Sequence, residues 1–344
     1  MAYTTINKPT DHFNTKLYTG NGGTNAITGV GFQPDLVWLK DRGNGSYYHF
    51  WTDVIRGVTK TMFSNTNGVE GTETAGLTAF GTDGFTVGDH TNINSNGNNI
   101  VSWNLKGGGS GSTNNDGATA STVSANTTSG FSIVTHAGTS GATTIGHGLG
   151  AAPKVIITKG RNVANSWIVS QNIVSGSWTS NNYSYLNSNA AAASSSALIN
   201  NVTSSTISFA GSDSFVNGNY NYVHYCFAEK TGYSKFGTYT ANNSSDGPFI
   251  YTGFRPAFFI AKRTDSTGNW HIFDDKRLGY NDQNKRLAAD STGAEDQTAI
   301  DILSNGIKIR SNSNSLNNHS GNMLYWAFAS APIVGTNNIP AVAR

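Results

Sequence analysis

The chain has 344 residues, only 12% of them charged, and a formal net charge of +2. An ordinary soluble domain carries about 25% charged residues, and a nucleic-acid-binding protein needs a concentrated basic face, so we expect no nucleic-acid partner. The single cysteine, Cys226, excludes an internal disulfide framework, and no apolar run is long enough to predict membrane insertion.

The composition predicts an all-β protein. The sequence contains 40 glycines but only four glutamates, whereas helix surfaces are usually rich in Glu, Lys, Arg and Ala. Threonine, valine, tyrosine and phenylalanine, punctuated by Gly, Asn and Ser, are typical of strands joined by turns.

In chain order, the first third predicts a series of short strands. They cover 16–19, 25–28, 36–40, 47–51, 84–87 and 99–105. Regular short strands separated by Gly and Asn turns indicate antiparallel sandwiches of jelly-roll type.

The strand after Pro34 recurs after Pro153 and Pro256. Each copy has a lysine six positions after its proline, namely Lys40, Lys159 and Lys262, and an aromatic residue fourteen positions after it, namely Tyr48, Trp167 and Trp270. These strands are apolar on both faces, which predicts a central position in a sheet.

About seventy positions after each proline comes a second matched strand. Large apolar residues stand at alternating positions, and the three sets are Val101, Trp103 and Leu105; Val223, Tyr225 and Phe227; and Leu324, Trp326 and Phe328. Alternating residues lie on one face of a strand, so each set predicts a buried face.

These repeats divide the chain into three sandwich domains. We name them unit 1 (1–108), unit 2 (109–230) and unit 3 (231–330), followed by an extended tail at 331–344. The glycine-rich stretch from 106 to 117 predicts a flexible linker that tolerates change.

Two carboxylate–guanidinium pairs are candidate ligand-binding residues. Asp53 and Arg56 in unit 1 match Asp274 and Arg277 in unit 3, whereas unit 2 has Gln171 and no nearby arginine. Such a pair can bind a polar ligand such as a sugar, or it can order a turn within each domain, since bidentate Asp–Arg pairs commonly do so.

Aromatic residues in predicted loops are the other candidates. Tyr48, Trp178 and Tyr183 are flanked by Asn, Ser and Gly. Such loops can stack on sugar rings, or they can form wet protein–protein contacts. For the three repeated lysines we expect a structural role, with the stem packed on apolar surface and the head in water. The alternative for these lysines is a contact with a glycan or a carboxylate.

No catalytic, metal or cofactor motif stands out. A glycosidase needs two opposed carboxylates across a cleft, and Glu70 and Glu73, with Asp83, lie in Gly- and Thr-rich sequence without counterparts in unit 3. We therefore expect a protein that is not an enzyme and has no cofactor, and a polysaccharide depolymerase ranks low.

Several segments resemble a family of virion proteins of marine tailed bacteriophages. The similar segments are MAYTTINKPTDHFNTKLYTGNG at 1–22, TGVGFQPDLVWLK at 28–40, AFASAPIV at 327–334 and PAVAR at 340–344. The resemblance implies a structural component of the virion, assembled in the cytoplasm of the host bacterium, and no catalytic residues.

The resemblance and the loops together predict a tail-fibre or attachment protein that contacts host-surface glycans. The alternative is a decoration or fibre protein on the head exterior, bound to capsid subunits. Other virion proteins are the expected partners, and by analogy with fibres we expect a homo-oligomer, namely a trimer.

Overall fold

Strands dominate the computed structural model of this chain, which describes residues 4–180, 182–277, 281, 284–317 and 320–332. These residues form twenty-eight strands, one 3-10 helix at Pro9–Asp11 and one α-helix at Thr91–Asn94. The predicted all-β, antiparallel fold is confirmed. In the described residues no helix has the length and apolar character needed to cross a membrane.

Unit 1 contains a six-stranded sheet and a three-stranded sheet. The strands of its large sheet, in chain order, are β1 (Phe13–Thr19), β3 (Leu36–Asp41), β4 (Phe50–Asp53), β5 (Lys60–Phe63), β6 (Gly71–Thr72) and β9 (Asn99–Leu105). The strands of its small sheet are β2 (Asn25–Thr28), β7 (Leu77–Gly81) and β8 (Gly84–Val87).

Unit 2 repeats the central strands of this plan, but its large sheet has two additional strands, β10 (Ser112–Asn114) and β11 (Ser121–Asn126), at one edge and no counterpart of β6 at the other. The other strands of its large sheet are β12 (Phe131–Ala137), β14 (Val155–Gly160), β15 (Ile168–Gln171), β16 (Tyr183–Tyr185) and β19 (Asn221–Phe227). Its small sheet contains β13 (Thr143–Gly146), β17 (Ile199–Val202) and β18 (Thr206–Phe209).

Unit 3 returns to the six-plus-three arrangement. Its large sheet contains β20 (Ser234–Thr240), β22 (Phe254–Arg263), β23 (His271–Asp274), β24 (Asn284–Ala288), β25 (Asp296–Thr298) and β28 (Asn322–Pro332). Its small sheet contains β21 (Phe249–Tyr251), β26 (Ile300–Leu303) and β27 (Gly306–Ile309). Among the described residues, each of the six sheets contains strands of only one unit.

Each large sheet packs one face against the small sheet of its own unit. In unit 1, Val37 and Leu39 of β3 share an apolar cluster with Ile27 of β2 and Phe85 of β8. Units 2 and 3 have equivalent clusters. This packing is the predicted sandwich, with side chains of two sheets interdigitating between them.

The opposite faces of the three large sheets meet in one central cluster. Trp103 of β9, Tyr225 of β19 and Trp326 of β28 all belong to it, so the three matched strands contribute to the same core. Ring contacts cross between units, as where Phe13 stacks on Phe328 with centroids 5.1 Å apart. The three units therefore share a hydrophobic core, in addition to having one each.

This arrangement explains why the strand after each proline is apolar on both faces. In β3, Leu36 and Trp38 point to the central cluster, while Val37 and Leu39 point to the sandwich of unit 1. The strand lies between β9 and β4 in the sheet, so its predicted central position is confirmed.

The glycine-rich segment after unit 1 is packed, contrary to the expectation of a flexible linker. The N–H of Gly108 donates to Ser124 Oγ at 2.9 Å, and that of Gly109 donates to Asp35 Oδ2 at 3.2 Å. A Cβ at Gly108 would lie only 2.5 Å from the Ala125 carbonyl oxygen. The glycines are thus needed where the backbone approaches unit 2 closely.

Residues 331 and 332, the first two of the predicted tail, belong to strand β28. The remainder of that prediction, 333–344, lies outside the described residues.

Candidate functional site

Asp53 and Arg56 form a buried ion pair at the end of β4. The Arg56 Nε donates to Asp53 Oδ2, and neither side chain is accessible to solvent. Asp53 Oδ1 accepts the backbone N–H of Arg56 at 2.9 Å, and the guanidinium also donates to the Trp51 carbonyl at 2.8 Å. Burial opposes the charge of Arg56, but Asp53, Tyr225 and Glu70 raise its pKa above the ordinary value.

Asp274 and Arg277 reproduce this geometry at the end of β23. The Arg277 Nε donates to Asp274 Oδ2 at 2.6 Å, its backbone N–H donates to Oδ1 at 2.9 Å, and its guanidinium donates to the Ile272 carbonyl at 3.0 Å. Both pairs thus order a turn, the structural alternative for these residues, and neither is presented to a ligand in solvent.

Both pairs also bind a neighbouring unit. The Tyr225 hydroxyl of unit 2 donates to Asp53 Oδ2 of unit 1 at 2.8 Å. Trp103 Nε1 of unit 1 donates to Asp274 Oδ2 of unit 3 at 2.9 Å, and Arg277 Cζ lies 5.4 Å from the centre of the Trp103 ring. The predicted ligand residues therefore hold the units together.

Glu70 extends the unit 1 pair to unit 2. Its Oε2 accepts from Arg161 Nε at 3.0 Å and its Oε1 accepts from the Arg161 terminal nitrogen at 2.9 Å, which is a bidentate bond. Oε2 also lies 3.3 Å from Arg56 Nη1. We call this contact the 1–2 seam.

Glu295 makes the same contacts between units 3 and 1. It accepts two bonds of 2.9 Å from Arg42 of unit 1, and its Oε2 lies 3.4 Å from Arg277 Nη1 of unit 3. We call this contact the 3–1 seam. Neither the link of Glu70 to Arg161 nor that of Glu295 to Arg42 could be predicted from the sequence, because neither pair is close in the chain.

The contact between units 2 and 3, the 2–3 seam, has the same backbone geometry but no equivalent charges. Strand register places Gln171 at the position of Asp53, and Val174 three residues later at the position of Arg56. The Val174 N–H donates to Gln171 Oε1 at 3.0 Å, as the Arg56 N–H does to Asp53. Both charged residues of the Asp–Arg pair are thus replaced by uncharged residues in this seam.

One backbone hydrogen bond recurs at every seam and shows that the three units close a ring. The donors and acceptors are Glu70 N to Arg161 O at 2.7 Å, Ala192 N to Thr264 O at 2.9 Å, and Glu295 N to Arg42 O at 2.7 Å. Unit 1 donates to unit 2, unit 2 to unit 3 and unit 3 to unit 1. Such head-to-tail contacts form a ring when the rotation closes, as it does here after three units.

The three repeated lysines lie at the ends of β3, β14 and β22, with their heads buried, contrary to the expectation that the heads reach water. Lys40 Nζ donates to the Asp41 carbonyl at 2.8 Å, and Lys159 Nζ to the Gly160 carbonyl at 2.8 Å. Burial lowers the pKa of all three lysines, including Lys262, to about 8. Each ammonium group therefore orders the loop that follows its strand.

Tyr48 is not the counterpart of Trp167 and Trp270. Register aligns His49 with those tryptophans, because the hairpin of unit 1 is one residue longer. His49 is fully buried and accepts a 2.9 Å bond from Trp38 Nε1. Tyr48 is exposed and packs against Phe63 at 5.1 Å between ring centroids.

Trp178 and Tyr183 belong to the sandwich core of unit 2. Trp178 is buried in this core, and Tyr183 is partly buried at its margin, edge-on to Tyr185. The structure therefore does not bring the predicted aromatic residues together with the Asp–Arg pairs into one site.

The carboxylates considered for catalysis also have structural partners. Glu70 joins the 1–2 seam, Glu73 lies 3.3 Å from His90 Nε2, and Asp83 accepts the backbone N–H groups of Gly29 and Gly31. In the part of the chain that the structure describes, no three His, Cys, Asp or Glu side chains form a group suited to a metal ion.

Open polar clefts lie beside the two charged seams. The larger, of about 550 Å³, is lined at the 3–1 seam by Asp41, Arg42, Asn98 and Glu295 among others. Its counterpart at the 1–2 seam, of about 330 Å³, includes Arg161. Amides and Arg–Glu pairs in open clefts can hydrogen-bond a polar ligand.

The chain belongs to a family described as a domain of unknown function (DUF7483), whose model matches residues 8–332. The match runs through all three units. No curated protein and no solved structure matches the chain.

Proposed function

We propose that this protein is a non-enzymatic structural component of a phage virion, and that it serves as a tail-fibre or attachment protein contacting host-surface glycans. The buried seams carry the structural part of this proposal. The pairs Asp53–Arg56 and Asp274–Arg277, which could have formed a ligand site, instead fix three units into one body. A rigid β body that presents polar loops suits recognition of a surface.

The contact with the host is expected to depend little on salt. Charged residues make up 12% of the chain, and several of them are engaged in the seams. Binding would then rest on stacking and on hydrogen bonds to uncharged sugar hydroxyls, which ions screen weakly compared with a charge-steered encounter. Many copies on one virion would raise the avidity of individually weak sites.

The three-unit ring favours a second candidate, a decoration or fibre protein on the head exterior. A body with three similar units in a closed ring can present similar surfaces to a site with threefold symmetry. Capsid subunits would then be the partner, and host cells would not be bound.

The test compares binding of the purified protein to whole host cells and to empty capsids across a range of NaCl concentrations. Saturable, salt-insensitive binding to cells is the expected result. Binding to capsids without binding to cells would contradict the attachment role and support the decoration role. Imaging of labelled virions would show independently whether the protein lies on the head or on the tail.

A further inference from the structure

One edge strand of unit 3 carries two exposed aromatic side chains. Phe249 and Tyr251 of β21 are 46% and 55% exposed, while Ile250 between them is buried. No other phenylalanine, tyrosine or tryptophan side chain among the described residues is as exposed. Side chains two residues apart on a strand lie on one face, about 7 Å apart along it.

The same strand in unit 1 has no aromatic residue. Register pairs Tyr251 with Gly306 and Thr28 with Gly84, so Phe249 and Tyr251 correspond to Ala26 and Thr28. A Cβ would lie about 2 Å from a carbonyl oxygen at either glycine, which supports the equivalence. The fold therefore does not require aromatic residues at these positions.

Unit 2 leads to the same conclusion. Its edge strand β13 has Thr144 and Gly146 at the two positions, on either side of Ile145. Since two of the three equivalent strands have small side chains there, the fold does not account for the exposed rings of unit 3.

We propose that Phe249 and Tyr251 form a stacking platform for a saccharide chain, an inference that rests on the proposed attachment function. A Cβ atom added to Gly306 would lie only 2.9 Å from Phe249 Cε2. The phenyl ring is therefore held against the backbone of β27. A ring supported in this way offers its free side to the apolar face of a sugar at little entropic cost.

Hydrogen-bonding groups border the platform. Lys308 lies across the strand pair from Phe249, and its Nζ lies 2.8 Å from Asp246 Oδ1. The Arg310 Nε donates to Asp301 Oδ2 at 2.6 Å. Paired charges beside exposed rings supply the polar contacts that sugar hydroxyls need.

Two observations favour a saccharide over a protein partner. The edge strand is three residues long and follows Pro248, which has no N–H to donate, so it is poorly suited to pair with an added strand. Two rings surrounded by polar groups are also far smaller than the roughly 800 Å² per partner of a stable protein interface.

The test uses the full-length chain and an array of purified bacterial capsular and O-antigen polysaccharides, together with host cells and empty capsids. The double variant Phe249→Ala/Tyr251→Thr carries the residues of unit 1 and should fold, which its melting curve will verify. Tyr220→Thr is the matched control, because it removes an exposed aromatic side chain of unit 2. We expect the double variant to bind polysaccharide about tenfold more weakly, and the control to bind like wild type.

The possible failures are distinguishable. If the wild type binds polysaccharide and the double variant binds it equally well, the platform is refuted while the attachment function stands. If the wild type binds neither cells nor polysaccharides, both are refuted. If the double variant loses binding to capsids instead, the platform is a protein contact and the saccharide inference is wrong.

Discussion

Buried charge has different roles in the three seams. In the 1–2 seam, Asp53 bonds Arg56, the backbone and Tyr225, so its carboxylate has partners on several sides. Such pairs add little net stability over well-packed neutral residues, but removing one partner leaves an unpaired charge buried inside the protein. The 2–3 seam has Gln171 and Val174 in place of this pair, so the same backbone contact forms without an Asp–Arg ion pair.

The first prediction tests this difference. Arg56→Val leaves the Asp53 carboxylate buried without its cation and should lower the free energy of unfolding by about 3–5 kcal/mol. The variant Asp53→Gln/Arg56→Val/Glu70→Ala/Arg161→Thr gives the 1–2 seam the residues of the 2–3 seam, and it should cost less. Denaturant unfolding measures both, and a quadruple variant less stable than the single one would contradict the prediction.

The sequence identified these residues but not their role. The spacing of Asp53 and Arg56 repeats in unit 3, so a paired carboxylate and guanidinium could be predicted from the chain alone. Their partners Tyr225 and Glu70 could not, because 172 residues separate Asp53 from Tyr225 and only the ring brings them together. The sequence-based alignment of Tyr48 failed for a local reason, since one extra residue in a hairpin shifts the strand that follows.

At the scale of elements, the alternation of apolar residues along a strand predicted which face is buried, but it did not predict which sheet packs against that face. The face with Val101, Trp103 and Leu105 is buried as expected. It faces the shared central cluster and not the sandwich core of unit 1. Hydrophobic alternation predicts that one face of a strand is buried, but it does not indicate which sheet covers that face.

The second prediction concerns the glycine segment between units 1 and 2. Gly108→Ala places a methyl group 2.5 Å from the Ala125 carbonyl oxygen and should destabilise the protein by about 1–3 kcal/mol. Gly109→Asn is the control, since its φ of +75° suits asparagine and a Cβ there meets no atom within 4 Å. Thermal unfolding of both proteins checks the difference, and equal stability would restore the view of a flexible linker.

At the scale of the molecule, the shared core couples the three units. The central cluster includes residues from all three large sheets, and the seams add hydrogen bonds between each pair of units. Stabilisation that spans several units is lost when any one of them unfolds, so the chain is expected to behave as one cooperative body.

The third prediction follows from this coupling. Calorimetry should show one unfolding transition for the wild type, with calorimetric and van't Hoff enthalpies in agreement. Trp103→Ala should cost about 3–5 kcal/mol and shift that whole transition, because Trp103 also bonds Asp274 of unit 3. A second transition that keeps its wild-type midpoint would instead indicate domains that unfold independently.

Because the three units belong to one polypeptide, the ring needs no encounter between subunits. A trimer of separate chains with the same seams would dissociate on dilution, since its stability includes a concentration term. Here that term is absent, and the seams persist at any protein concentration. Even at extreme dilution, the protein would therefore keep this ring, with its clefts and its β21 edge, in the same arrangement.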